Sequence, residues 1–168
     1  MARYASFFPR TIFPDAMAIT LDYLLDRQIS FQWRGFLSAL AEEFDTQIGQ
    51  AELRQLMARV GRRFAASHVL PTCHTTPELA NAINAVWHES DWGFVELSDE
   101  PEALRIVHFC APLLAFGPNA LTWTPAFLEG VYQGWLSELG ADGLAVVQSG
   151  DFDESASVEF RLGRSKNR

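Results

Sequence analysis

The sequence predicts an α+β domain, with N-terminal helices packed on a four-stranded, mostly antiparallel sheet in helix–hairpin–helix–hairpin order. Three observations carry this. Apolar residues from Trp33 to Phe64 recur at three- and four-residue intervals, the period of helix faces. Two pairs of strand-like runs follow, over 93–110 and 144–162. Between those pairs, Thr124-Pro125 opens one more helical stripe. The 168 residues suit a single domain over 1–168, with no internal repeat and no linker.

The chain to about Pro14 reads as an irregular, apolar arm, and 15–27 as a short helix with Ile19, Tyr23 and Leu24 at helical spacing. Trp33, Phe36, Leu37, Leu40, Phe44 and Ile48 mark one face of the next helix, which Gly49 interrupts. A further helix turns Leu53, Leu56, Met57, Val60 and Phe64 inward and Arg59, Arg62 and Arg63 outward. Leu70-Pro71 ends that run, because proline disfavours helix in the residue before it. Thr75-Thr76-Pro77-Glu78 opens the following helix in one of two ways. Either Thr76 caps it with Pro77 at the first position, or Thr75 caps it with Glu78 closing a capping box. Its stripe is Leu79, Ile83 and Trp87.

Strands are expected at Gly93–Leu97 and Ala103–Cys110, joined by the polar turn Ser98–Glu102. The second is apolar on both faces, as a central strand covered on both sides should be. After Thr124-Pro125, Leu128, Val131, Tyr132, Trp135, Leu136 and Leu139 form the cleanest stripe in the chain, and Gly140 stops it. A last hairpin pairs Leu144–Gln148 with Val158–Leu162, leaving a basic tail over 163–168.

Charge is unevenly spread. Of a net −8, residues 78–160 contribute −13, with fourteen carboxylates against Arg105 alone; residues 1–77 contribute +1 and the last eight +4. Such an acidic half repels phosphate backbones, so nucleic acid is not expected as a partner. No apolar run reaches the ~18 residues of a membrane span, so no membrane insertion is expected. Pro9, Arg10, Pro14 and Asp15 break the place where the apolar core of a signal peptide would run. Cys73 and Cys110 follow apolar stretches and read as buried free thiols. Both observations favour the cytoplasm, with the periplasm as the alternative.

Catalytic motifs are absent from the sequence: there is no G-x-S-x-G, no Walker loop and no G-x-G-x-x-G after a strand. His108 and Cys110 share a strand face and Cys73 adjoins His74, the side-chain types of a tetrahedral zinc site. Adjacent residues seldom both ligate and no C-x-x-C spacing supports the set, so no metal and no cofactor are assigned. His68 and His88 suit helix C-termini. Glu129, beside the stripe of the Trp135 helix, is the one carboxylate placed for half-burial; it reads as a helix cap or as one partner of an arginine pair. No second acid is identified for it, so the chain is not read as an enzyme.

Aromatic residues are 12% of the chain and include five tryptophans. Trp87 and Trp135 fall on apolar stripes and belong to the core. Trp33, Trp92 and Trp123 sit at element starts, where an indole covers a loop end, lines an interface, or stacks on a sugar or a polyproline helix. Trp33, Arg59, Arg62, Arg63, Trp92 and Trp123 are therefore the candidate oligomer or partner contacts.

A set of short motifs resembles the bacterial cellulose synthase D-subunit family, also called the cellulose synthase operon protein D family. They are Phe36-Leu37-x-Ala39-Leu40-x-x-Glu43 with Gln47-x-Gly49, then Val60-Gly61, then Leu70-Pro71-x-Cys73-x-Thr75. Asn84, Trp92-Gly93-x-Val95-x-Leu97, and Ile106-Val107-His108 with Pro112 come next. Thr122-Trp123-x-Pro125 and Leu128-Glu129-Gly130-x-Tyr132-x-x-Trp135 complete the set, which lies within residues 31–148.

The resemblance implies a non-catalytic accessory component of the cellulose-secretion machinery, built as a cylindrical homo-octamer, a tetramer of dimers. It implies other cellulose synthase subunits as partners and an ordering of synthase complexes so that glucan chains bundle into crystalline ribbons. Contact with the glucan itself, and threading by a proline-rich scaffold protein in the cytoplasm, also come from the resemblance. The N-terminus is longer than the family pattern, so no channel residues are carried across. The helix–hairpin–helix–hairpin order also resembles, in fold alone, small ligand-binding domains related to vesicle-tethering proteins. A small-molecule-binding sensor or tethering-type domain is accordingly the alternative. If copies assemble, the acidic stretch needs basic counterparts, and Arg54, Arg59, Arg62, Arg63 or a neighbour's basic tail are the expected ones.

Overall fold

The computed structural model describes residue 24 and residues 29–153 and 155–164. The predicted arm, the helix predicted over 15–27 (Leu24 apart) and residues 165–168 of the predicted tail lie outside them. Helices α1 (Phe31–Gln47), α2 (Gln50–Ser67) and α3 (Thr76–Glu89) precede the hairpin β1 (Phe94–Glu100) and β2 (Ala103–Phe109). Two 3-10 turns, Pro112–Phe116 and Pro118–Thr122, lead to α4 (Ala126–Glu138), and β3 (Leu144–Gln148) and β4 (Ser157–Arg164) close the fold. The strands form one sheet in the order β1-β2-β4-β3, and every neighbouring pair is antiparallel. The expected α+β architecture and the central place of β2 both hold, but β2 is not covered on both sides: Arg105, on the face away from Ile106 and His108, keeps 39% of its side chain exposed.

Local signals explain several boundaries. Thr75 is the cap of α3: its hydroxyl accepts the Glu78 N–H at 3.3 Å, while the Glu78 carboxylate reaches back to the His74 N–H at 2.8 Å. Pro77 then fills the first turn, where a missing N–H costs nothing. The β1–β2 turn is tighter than predicted. Glu100 pairs with Ala103, so Ser98 to Glu100 belong to the strand and only Pro101 and Glu102 turn. Likewise β4 extends through Gly163 and Arg164, the first two residues of the predicted tail.

Three layers stack. The sheet lays Val95, Ile106, His108, Val158, Phe160, Leu162 and Val146 against α3 and α4, and α2 covers the far side of α4. Helix α4 is thus enclosed rather than amphipathic: Ala126, Phe127, Leu128, Gly130, Val131, Tyr132, Trp135 and Leu136 are all buried.

The α2–α4 crossing corrects the predicted face of α2. Its buried residues are Leu53, Gly61 and Ala65, not Val60, which is 42% exposed. The reason is backbone contact. A Cβ on Gly61 would stand 2.0 Å from the Phe127 carbonyl oxygen, and one on Gly130 would stand 2.1 Å from that of Ala58. Close approach of the two backbones sets which side of α2 faces in, and the larger side chain of Val60 rolls outward.

Each edge strand is held by an amide side chain. Asn84 of α3 donates to the Val95 carbonyl (2.9 Å) and accepts the Val95 N–H (2.6 Å) on β1. Gln133 of α4 donates to the Leu144 carbonyl (3.2 Å) and accepts the Val146 N–H (2.8 Å) on β3. These pairings occupy backbone groups that an edge strand otherwise offers to another chain.

Candidate interaction surfaces

The predicted stripe of α1 divides in two. Its C-terminal half joins a second small core, in which Ala41, Leu53, Ala120 and Trp123 are buried and Phe44, Ile48 and Phe116 pack around them. At its N-terminal end, Phe31 (87%), Trp33 (59%) and Phe36 (55%) remain exposed, with the Trp33 and Phe36 rings edge to face at 5.8 Å. Trp33 therefore stands where a partner can reach it.

Trp123 does not. It is 1% exposed, packs on Phe44 and Phe116, and donates its indole N–H to Asp45 at 2.7 Å. The 3-10 turns, which no periodicity announced, place it there, so it is a core residue rather than a partner contact. Trp92 is also mostly internal: it packs on Phe127 at 4.6 Å and on Trp87 at 6.1 Å, and is only partly exposed. The three tryptophans thus form no common surface.

Arg59, Arg62 and Arg63 are exposed along α2 and make no ion pair among the described residues. Arg54 differs from them. Its guanidinium donates to Glu129 at 2.8 Å and to the Thr122 carbonyl and Gln148 Oε1 at 3.1 Å each. Arg54 ties α2 to α4, β3 and the second 3-10 turn, and is not available to a neighbouring copy. Glu129 is accordingly one partner of an arginine pair; burial raises its pKa, and Arg54 offsets part of that rise.

A buried polar pair went unread in the sequence, where His108 drew attention only as a metal ligand. His108 is fully buried, with the Trp92 carbonyl 2.6 Å from Nε2 and the Tyr132 hydroxyl 2.5 Å from Nδ1. A carbonyl only accepts, so Nε2 carries the proton and Nδ1 accepts from Tyr132. Burial lowers the His108 pKa to about 4, the Trp92 carbonyl opposing this, and raises that of Tyr132. The ring is neutral at pH 7 and serves as a structural bridge between β2, α4 and the β1 approach. Its alternation with Leu104 and Ile106 was the available sign that it faces inward.

Among the described residues, no group of three or more His, Cys, Asp or Glu side chains is placed to hold a metal. Cys73 and Cys110 are unbridged and only partly buried, less enclosed than expected; burial raises the Cys110 pKa. No helix among the described residues is long and apolar enough to cross a membrane.

The sheet's second face is partly covered: Val107 and Ser157 are buried, while Phe94 and Val147 are 45% and 54% exposed. By strand register, it carries four rows across β1, β2, β4 and β3. The first is aromatic, with Phe94 and Phe109 stacked at 5.0 Å, followed by Ser157. Glu96, Val107 and Glu159 form the second; Ser98, Arg105, Arg161 and Val147 form the third; Glu100, Ala103, Gly163 and Ala145 form the last. Glu159 links to Arg105 at 2.6 Å and Arg161 at 3.4 Å, and Arg161 to Glu100 at 3.4 Å.

The model of the cellulose synthase D-subunit family matches residues 19–163. The chain belongs to this family. A cellulose synthase operon protein D from Komagataeibacter xylinus is 39% identical over 116 residues, covering 67% of this chain and 74% of that protein. The Komagataeibacter sucrofermentans protein of the same name matches to the same extent. Membership of the family gives the chain an accessory role in cellulose synthesis. Among solved structures, a vinyl-4-reductase family protein from Methanocaldococcus jannaschii covers 94% of this chain and 98% of its own, with TM-score 0.48 and 16% identity. That distance carries no function across.

Proposed function

We propose that the chain is a non-catalytic scaffold of the cellulose synthase machinery. It acts in the cytoplasm as a homo-oligomer, an octamer arranged as a tetramer of dimers. Its task is to hold synthase complexes in register, so that the glucan chains they extrude bundle into ordered, crystalline cellulose. The observation that carries the reading, given the family, is the exposed aromatic end of α1. Phe31, Trp33 and Phe36 form an apolar patch of the kind found at contact surfaces. Arg59, Arg62 and Arg63 supply a second, charged contact toward the acidic residues of a neighbouring copy or another component of the synthase.

A proline-rich partner fits the Trp33–Phe36 pair in particular, because edge-to-face rings offer the ridged aromatic surface on which a polyproline helix docks. Light scattering of the purified chain tests the assembly. A particle several times 18.8 kDa is expected, and a clean monomer at about 100 μM rules the reading out.

A further inference from the structure

We infer that the Trp33–Phe36 end of α1 is covered by the chain's own N-terminal arm, residues 1–14, which docks there through its two Phe-Pro units and excludes a proline-rich partner until displaced. The inference rests on the partner reading above and names what regulates that site. The surface comes from the structure. Phe31, Trp33 and Phe36 are 87%, 59% and 55% exposed on the first two turns of α1, and the rings of Trp33 and Phe36 meet edge to face at 5.8 Å. Large exposed aromatics gathered at one end of a helix mark a contact surface. The occupant comes from the sequence. Phe8-Pro9 and Phe13-Pro14 stand five residues apart, with Phe7 and Ile12 beside them, and both lie ahead of residue 19, where the family match begins. Proline holds its own φ at about −65° and disfavours helix in the residue before it, so each unit offers an aromatic ring next to a proline ring on extended backbone. An aromatic ridge accepts a ligand of that form.

Length and charge favour this occupant. Phe13 lies eighteen positions before Phe31. A tether of that length has a root-mean-square span of roughly 23 Å and holds Phe13 around the patch at an effective concentration on the order of 10 mM. A contact with a dissociation constant of about 1 mM is then closed about ten to one, and a competing partner binds about tenfold more weakly than it would to the open patch. A second copy offers the same arm only at its solution concentration, without that advantage. Residues 1–14 also carry Arg3 and Arg10 and no carboxylate, while α1 exposes Glu42 and Glu43 farther along its length. An arm lying along α1 past the patch therefore meets opposite charge.

The test places a photoreactive benzoyl-phenylalanine in place of Phe13 in the full chain and irradiates it at about 1 μM, far below the tethered concentration. An adduct of one-chain mass, joining position 13 to the segment 31–36, is expected. A two-chain adduct, an adduct elsewhere, or none overturns the inference. In parallel, decaproline is titrated against the parent and against Phe8→Ala/Phe13→Ala, followed by tryptophan emission. The double variant is expected to bind about tenfold more tightly, and adding Trp33→Ala is expected to abolish binding in either background. Equal affinity in the parent and the double variant overturns the inference. If neither binds decaproline, the proline-rich partner reading falls, while the photo-adduct still decides where the arm lies.

Discussion

Tyr132 donates a hydroxyl hydrogen bond to His108 Nδ1 across 2.5 Å in a core where both side chains are fully buried. The pair joins α4 to β2, and the Trp92 carbonyl on the other ring nitrogen draws in the loop before β1. A neutral imidazole meets both demands; an imidazolium would bring a buried charge with no carboxylate facing it.

The first prediction is a pH dependence. With a folded pKa of about 4 against an ordinary 6.5, the unfolded chain binds a proton that the folded chain refuses between those values. Stability from this group is complete above pH 6.5 and declines as pH falls toward 4, by ~3 kcal/mol in all. Urea midpoints at pH 7 and pH 4.5 read it. His108→Gln keeps one donor and one acceptor and is expected to flatten that part of the curve; an equal slope in the variant defeats the assignment.

The crossing of α2 and α4 should tolerate no added methyl group. Gly130→Ala and Gly61→Ala each force a carbon into a backbone carbonyl about 2 Å away. A loss of ~3 kcal/mol or more is expected, at the upper end of overpacking costs. Thermal melting measures it, and a change below 0.5 kcal/mol would show that the helices separate without strain.

Arg54→Ala leaves Glu129 partly buried without its cation and frees the acceptors at Thr122 and Gln148. A loss of about 2 kcal/mol at pH 7 is expected. The penalty shrinks on acidification, because a carboxyl already raised by burial takes up a proton and the buried charge disappears. Glu129→Gln should cost less than Arg54→Ala, and denaturant titration of the two variants decides it.

Removing the amide from Asn84 leaves a strand N–H and carbonyl without their partner on the β1 edge. Asn84→Ala is expected to lose about 1–2 kcal/mol in a urea titration and to raise the rate of aggregation at 37 °C, followed by light scattering. Asn84→Asp can still accept the N–H but cannot donate to the Val95 carbonyl, and should recover only part of the loss.

Two tryptophans that look alike in the sequence should behave oppositely. Trp33→Ala is expected to leave melting within about 0.5 kcal/mol of the parent and to weaken assembly or partner binding. Trp123→Ala should cost about 3–5 kcal/mol, because it empties the second core and strands Asp45. Calorimetry and light scattering on both variants separate the two roles.

The class and the order of elements are legible along the chain, because periodicity, Thr-Pro openings and alternation are local properties. The central place of β2 is legible in its apolar run, and Glu129 is legible as a half-buried carboxylate, although the sequence leaves a helix cap and an arginine pair both open for it. The tertiary structure decided what local pattern cannot express. Val60 reads as apolar and inward, but glycine-to-carbonyl contact between α2 and α4 turned it out. Trp123 reads as a loop aromatic, but the 3-10 turns folded it under α1. Arg54 reads as one of four similar arginines, but a site 75 residues away claimed it. His108, Asn84 and Gln133 gained their roles from partners on other elements. In each case burial depends on which backbone comes near, and that distance is set by the whole packing rather than by the spacing of residues along the chain.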